Sequence, residues 1–276
     1  MKQENKMKQE TYSESKKNLE YCLIWQKRDK NSYLRFHCKN INDFKKIETV
    51  NQAEIIISGL KQKEFECFCD SYADKFQIIQ LTHCNSINDF SPFGKLQNLQ
   101  FLTIFWNSKA TKLWNMSNNI SLKGLCLDEI MKIKTLDGIE FAPALEELTI
   151  QEYIETRLFL DTLETLSKCD FIKKLRITIS GIKDDSALPI SKMKSIKEIH
   201  LRTNLFTTEQ YALLVAKLKN VKITPNVPYY IYKEEDYGKN NVFVVGKNKR
   251  DISDSSPKLK QYETEWNDFL KKHETL

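Results

Sequence analysis

Glycine and proline are scarce in this chain, with 7 and 6 copies among 276 residues. An all-β fold built from many tight turns needs more of both, so that class is disfavoured. No apolar run approaches the roughly 18 residues of a membrane-spanning helix, and the amino terminus is polar, so neither a membrane span nor a targeting segment is expected. The seven cysteines, at 22, 38, 67, 69, 84, 126 and 169, contain no C-x-x-C pair. Most lie in apolar runs, as Cys126 does between Leu125 and Leu127. That usage predicts reduced thiols in a cytoplasmic protein, not a disulfide framework.

The signatures of catalysis are missing as well. His37, His83, His200 and His273 are far apart, and no H-x-x-x-H or Cys/His cluster has metal-ligand spacing. Gly94-Lys95 lacks the upstream glycine of a phosphate-binding loop, and no G-x-G-x-x-G occurs. No catalytic residue, metal or cofactor is therefore assigned, and an enzyme is not expected. Charge is not one-sided either: 43 Lys and Arg against 37 Asp and Glu leave +6. Hydrophobic content of 41% and charged content of 29% are those of an ordinary soluble chain.

What is present is a period. Phe76-x-x-Ile79-x-Leu81-x-x-Cys84 is followed by Leu99-x-x-Leu102-x-Ile104-x-x-Asn107. With the middle apolar residue as marker, the series runs Ile56, Ile79, Leu102, Leu125, Leu148, Leu175, Ile199 and Val221, at intervals of 23, 23, 23, 23, 27, 24 and 22. Apolar residues two apart, such as Leu125 and Leu127, point to one face of a short strand. One such strand cannot bury that face alone, so copies must stack and share a core, giving about eight parallel strands. The ninth position leaves the strand, where a side-chain polar group can satisfy nearby backbone. Cys84, Asn107, Ser180 and Asn204 suit that task, whereas Ile130 and Tyr153 do not.

These copies resemble the leucine-rich repeat family, over roughly Ala53 to Thr224. Asn204 to Val221, with Val242-Phe-Val-Val-Gly-Lys after it, resembles the end of cytoplasmic leucine-rich repeat proteins of bacteria. The resemblance implies an α/β solenoid: a curved parallel sheet on the concave face, helices and irregular turns on the convex face, and caps at both ends. It also implies a protein-binding role, of the adaptor or immunity type, with a monomer expected. Some relatives of that kind carry a ubiquitin-ligase module with a catalytic cysteine, but no cysteine follows Cys169 here.

The organisation expected is a disordered polar tail over 1–17, an N-terminal cap over 18–52, repeats over 53–224 and a C-terminal cap over 225–276. The first cap is read as a hairpin from Leu19 to Trp25 and Tyr33 to Cys38. Glu64 to Phe76 reads as an amphipathic helix, Leu158 to Cys169 repeats that effect, and Thr207 with Gln210 reads as a helix start. Pro257 to Lys272 is the terminal helix, with Leu259, Tyr262, Trp266, Phe269 and Leu270 on one stripe.

Residues between the buried leucines should face outward. The partner-binding candidates on that concave face are Phe101, Phe105 and Trp106, the acids Asp128 and Glu147, and Lys174, Arg176, His200 and Arg202. Exposed aromatics and arginines are the side chains interfaces favour as anchors. An unidentified protein is thus the expected partner. The alternative is nucleic-acid binding through Lys247, Lys249 and Arg250, or Lys192, Lys194 and Lys197 beside Lys173 and Lys174. The near-balance of charge and the lack of a stacking motif speak against it.

Overall fold

The computed structural model describes residues 33–152, 156–233 and 240–274. The alternating apolar segments are strands: β1 (Leu34–His37), β2 (Glu54–Ser58), β3 (Ile78–Thr82), β4 (Phe101–Asn107), β5 (Gly124–Ile130), β6 (Glu147–Gln151), β7 (Phe159–Leu160), β8 (Lys174–Thr178), β9 (Gly181–Ile182), β10 (Glu198–Leu201) and β11 (Lys222–Thr224). Nine of them form one sheet in the order β1-β2-β3-β4-β5-β6-β8-β10-β11. Every pairing within it is parallel. The strands of this sheet therefore stand in chain order, with β7 and β9 set aside as a separate pair, which is the connectivity of an α/β solenoid.

Register stacks the side chains in rows. Ile55, Ile79, Leu102, Leu125, Leu148, Leu175, Ile199 and Ile223 lie side by side across the sheet. Ile57, Leu81, Ile104, Leu127, Ile150, Ile177 and Leu201 form a second row two residues on, and both rows are buried. The residue three before each marker supplies a third: Phe76, Leu99, Leu122, Leu145, Ile172 and Ile196.

The ends differ from the expectation. Tyr33 to Cys38 does contain the expected strand. Its β1 pairs parallel with β2 and adds a ninth strand, while the tail over 1–17 and the proposed partner strand from Leu19 lie outside the described residues. In the first repeat the marker is Ile55, not Ile56, which lies opposite Gln80 instead, and Ala53 is exposed. Three consecutive isoleucines leave alternation blind to a one-residue slip. At the other end Ile223, not Val221, lies opposite Ile199. The turn in which Val221 N–H donates to the Leu218 carbonyl delays the strand by two residues.

Helices are few: α1 (Gln62–Ser71), α2 (Leu188–Ser191), α3 (Thr208–Lys217) and α4 (Lys258–Glu274). Thr207 caps α3, its hydroxyl accepting from Gln210 N–H. The expected Leu158–Cys169 helix is instead β7, which pairs with β9, and a single 3-10 turn over Glu164–Lys168. Beyond β11, β12 (Tyr229–Lys233), β13 (Asn240–Val244) and β14 (Ile252–Ser253) make a small antiparallel sheet. Hydrogen bonds from Thr208 Oγ1 to the Val245 carbonyl (2.8 Å), and from Gly246 N–H to the Thr203 carbonyl (2.9 Å), fasten this region to the last repeat. α4 buries Trp266 and extends Lys272 to Glu209 at 2.7 Å.

Two asparagines close turns inside the core. Asn107 Nδ2 donates to the carbonyls of Cys84 and Ile87, and its Oδ1 accepts from the N–H groups of Lys109 and Ala110. Asn119, fully buried, donates to the Phe93 and Leu96 carbonyls and accepts from Trp114 Nε1. Backbone that no ladder can satisfy is satisfied there. Leu125→Ala should lower stability by about 2–5 kcal/mol in urea titration, while Phe141→Ala, on an exposed connector side chain, should stay within about 0.5 kcal/mol. Equal losses would place the core elsewhere.

Candidate functional site on the outer sheet face

The face turned away from the leucines carries three rows. Ile78, Phe101, Gly124, Glu147, Lys174 and Glu198 form the first. Gln80, Thr103, Cys126, Thr149, Arg176 and His200 form the second, and Thr82, Phe105, Asp128, Gln151 and Thr178 the third. The second row is not open to solvent from β3 to β6, for Gln80, Thr103, Cys126 and Thr149 are buried. Strands about 4.8 Å apart let larger side chains lean across their neighbours. Phe101 does so over Gly124, where an added Cβ would lie 2.6 Å from the ring. The ring occupies the space a side chain at 124 would need.

Asp128 is the clearest departure. Expected on the surface, it is only 1% exposed. Its neighbours in register, Phe105 and Gln151, flank it on either side. Gln151 Nε2 donates to Oδ2 at 2.8 Å, while Oδ1 is buried without a hydrogen-bond partner. Burial pushes this carboxyl up to about 6; the Gln151 bond opposes that rise and the charge of Glu129 adds to it. A side chain so enclosed offers no surface to a partner.

At the ends of the strands, just past β2 and β3 and in the penultimate residue of β4 and β5, the backbone repeats an unusual turn. Gly59, His83, Trp106 and Glu129 each take a positive φ, of 80°, 55°, 61° and 54°. Each stands four residues after its marker, in four successive repeats. For residues with a Cβ this left-handed conformation costs roughly 1–2 kcal/mol, so packing and the ladder must hold it. His83 and Trp106 are exposed there, Trp106 at 37%. With Phe105 they form a ring cluster: His83 lies 5.0 Å from Trp106 and 5.6 Å from Phe105, and the latter two are 6.4 Å apart. Glu129 is buried, accepts from Thr156 Oγ1 at 3.2 Å and lines a cleft with Met131, Thr156, Arg157 and Leu158.

Toward β10 the face is ionic and largely self-matched. Lys174 meets Glu147 at 2.7 Å and Lys222 meets Glu198 at 3.1 Å. Arg202 binds Glu152 at 2.7 Å, and that carboxylate, its side chain only 4% exposed, also accepts from Ser180 Oγ and N–H. Arg202 thus answers a buried charge. His200 is held down at about 4 by burial, then by the charges of Arg176 and Lys222, so it is neutral near pH 7. Most of the lysine-cluster residues are matched too, Lys173 with Glu146, Lys192 with Glu164, Lys194 with Asp170, Lys247 with Asp185 and Lys249 with Glu265, whereas Lys197 and Arg250 are in none of the ion pairs among the described residues.

The structure brings Phe105 and Trp106 together, sets Phe101 one strand-width from Gly124, and keeps Lys174, Arg176, His200 and Arg202 in a separate region with Glu147. Sequence reasoning left His83 and Glu129 out of the candidate list. The signal was there: they share the repeat position of Trp106, 23 residues away on either side. Among the described residues no group of three His, Cys, Asp or Glu side chains has metal-binding geometry, and no helix is long and apolar enough to cross a membrane. The six described cysteines are free thiols. Burial pushes Cys38 and Cys84 up to about 11 and Cys169 up to about 12, away from the thiolate a nucleophile needs.

No family model and no curated protein matches the chain. Among solved structures it is similar to an internalin from Listeria monocytogenes, at 13% identity and a TM-score of 0.37. The match covers 61% of this chain and 57% of the internalin, so the chain spans little more than half the length of that protein.

Asp128 makes stability depend on pH. Its carboxyl sits near 3.9 in an unfolded chain and about 6 here. Below pH 4 it is neutral in both states; as pH rises the folded state must hold a disfavoured charge, and stability falls. Wild type should lose about 2 kcal/mol relative to Asp128→Asn between pH 4 and pH 7. A pH-independent difference in urea titrations would contradict this. The matched lysines lead to a second expectation: DNA or RNA binding at physiological salt stays well weaker than about 10⁻⁸ M, the range of specific complexes. Electrophoretic shifts in that range would contradict it.

Proposed function

We propose that the chain is a non-catalytic binding protein whose outer sheet face docks a protein partner, in an adaptor or immunity-type role. The observation that carries this reading is Trp106, a large aromatic left exposed by a strained backbone that core packing does not require. Phe105 and His83 extend it into a small aromatic patch, and the ion pairs farther along the same face, on β6 to β11, suit orientation of a partner more than raw affinity. Phe101 is part of the same face. Arg202 and Lys174 contribute to its field while serving Glu152 and Glu147. Cytoplasmic action fits the lack of any disulfide among the six described cysteines.

The reading is tested with two variants chosen to keep the fold. Trp106→Gly removes the ring where glycine accepts the same φ. Phe105→Thr installs the residue that Thr82 and Thr178 already place in that row. The double variant should bind the partner recovered from the native host at least about 30-fold more weakly, as for a hot spot. Phe141→Ser, on a connector, should bind like wild type. If the double variant binds as wild type does, the sheet face is not the site; if Phe141→Ser alone fails, the partner meets the connectors.

A further inference from the structure

A strand at the border of a sheet leaves every second residue's N–H and C=O without a ladder partner, and folds usually shorten, charge or cover such borders. Most borders in this molecule are treated that way. β7, β9 and β14 have two residues each, and β11 has three, starting at Lys222 and followed by Pro225. β1 carries Arg35 and His37. β12 is the exception. It holds five residues, Tyr-Tyr-Ile-Tyr-Lys, with no charge before Lys233. It stands at the border of its sheet, and among the described residues no helix or strand other than β13 runs along it. Ile231 on β12 and Phe243 on β13 are large apolar side chains left exposed, at 38% and 41%.

The register says which backbone groups are open. Val245 N–H donates to the Pro228 carbonyl, and Tyr230 and Tyr232 lie opposite Phe243 and Asn241. Bonded pairs alternate along an antiparallel ladder, so Tyr230 and Tyr232 bond to β13 while Tyr229, Ile231 and Lys233 turn their N–H and C=O outward. We propose that a second copy of this chain pairs there, its β12 antiparallel to this one about a two-fold axis at Ile231. An extended backbone presents donors and acceptors at the spacing this edge repeats. The two-fold makes the edge its own complement: Ile231 meets Ile231, and Tyr229 meets Lys233 on both sides of the axis. Exposed Ile231 gains an apolar neighbour, and Lys233 faces Tyr229, whereas a parallel pairing in register would set Lys233 against itself. Two three-stranded sheets thereby become one. A border of five residues buries less than the roughly 1,200 Å² at which standard interfaces begin, so the dimer is reversible. It departs from the monomer that the family resemblance implies, and it uses no residue of the docking face.

Sedimentation equilibrium on the full chain should show monomer and dimer in exchange, and the Ile231 amide should exchange with solvent more slowly as concentration rises. Ile231→Lys sets like charges against each other at the axis, and so does Ile231→Glu. Each variant should dimerise at least about tenfold more weakly than wild type. An equimolar mixture of the two should restore the dimer, because opposite charges then meet. Ile231→Pro removes an N–H that the ladder does not use, and should be monomeric with the wild-type urea midpoint. Should proline unfold the strand, the charge pair decides alone. A wild-type chain still monomeric at about 1 mM, single charge variants that dimerise as wild type does, or a mixture that stays monomeric would each overturn the inference.

Discussion

A strand that presents apolar side chains on one face and pairs only with its neighbours in the chain has no independent way to be stable. Everything in this molecule follows from that dependence. Leu102, Leu125 and Leu148 are buried because the strands on either side put equivalent residues at the same height. The connectors then vary freely in form, from α1 to a bare 3-10 turn, provided they return the chain to the next strand in step. Asn107 and Asn119 show the polar side of the same demand, each collecting backbone groups that a turn within the core would otherwise strand.

The opposite face is shaped by crowding. Close strand spacing lets Phe101 lie over Gly124 and encloses Gln80, Thr103, Cys126 and Asp128, so the surface available to a partner is narrower than a strand diagram implies. Charge settles the rest. Where the chain supplies cations, from β6 onward, the acids are matched internally; on β5 they are not. A face with one matched and one unmatched region has a built-in polarity along its length.

Much of the architecture was legible from spacing alone because the core obeys a period, and burial of Leu125 or Ile150 is a consequence of position. The ends were not, for two physical reasons. The run Ile55-Ile56-Ile57 satisfies either register, and Gly59, four residues after Ile55 at the left-handed position, is the mark of the one adopted. Leu218 and Val221 mimic the motif while belonging to the turn after α3. The site was legible as a face but not as individual contacts. Alternation says which way Asp128 points; it does not say that it is buried and hydrogen-bonded by Gln151, nor that Arg202 is engaged by Glu152 fifty residues earlier in the chain.

The left-handed exit has a consequence for how such a surface can diversify. Glycine, histidine, tryptophan and glutamate occupy the same backbone geometry in four neighbouring repeats. None of the four belongs to the two strand rows of the core. At the exposed positions, His83 and Trp106, a substitution can therefore change or erase the side chain without touching the leucine ladder, whereas a Cβ at Gly59 would meet the Cys38 carbonyl oxygen at 2.6 Å. The residues that hold the left-handed position and those that build the ladder are separate sets, so the edge of the sheet and its core answer to different constraints, one of backbone geometry and one of volume.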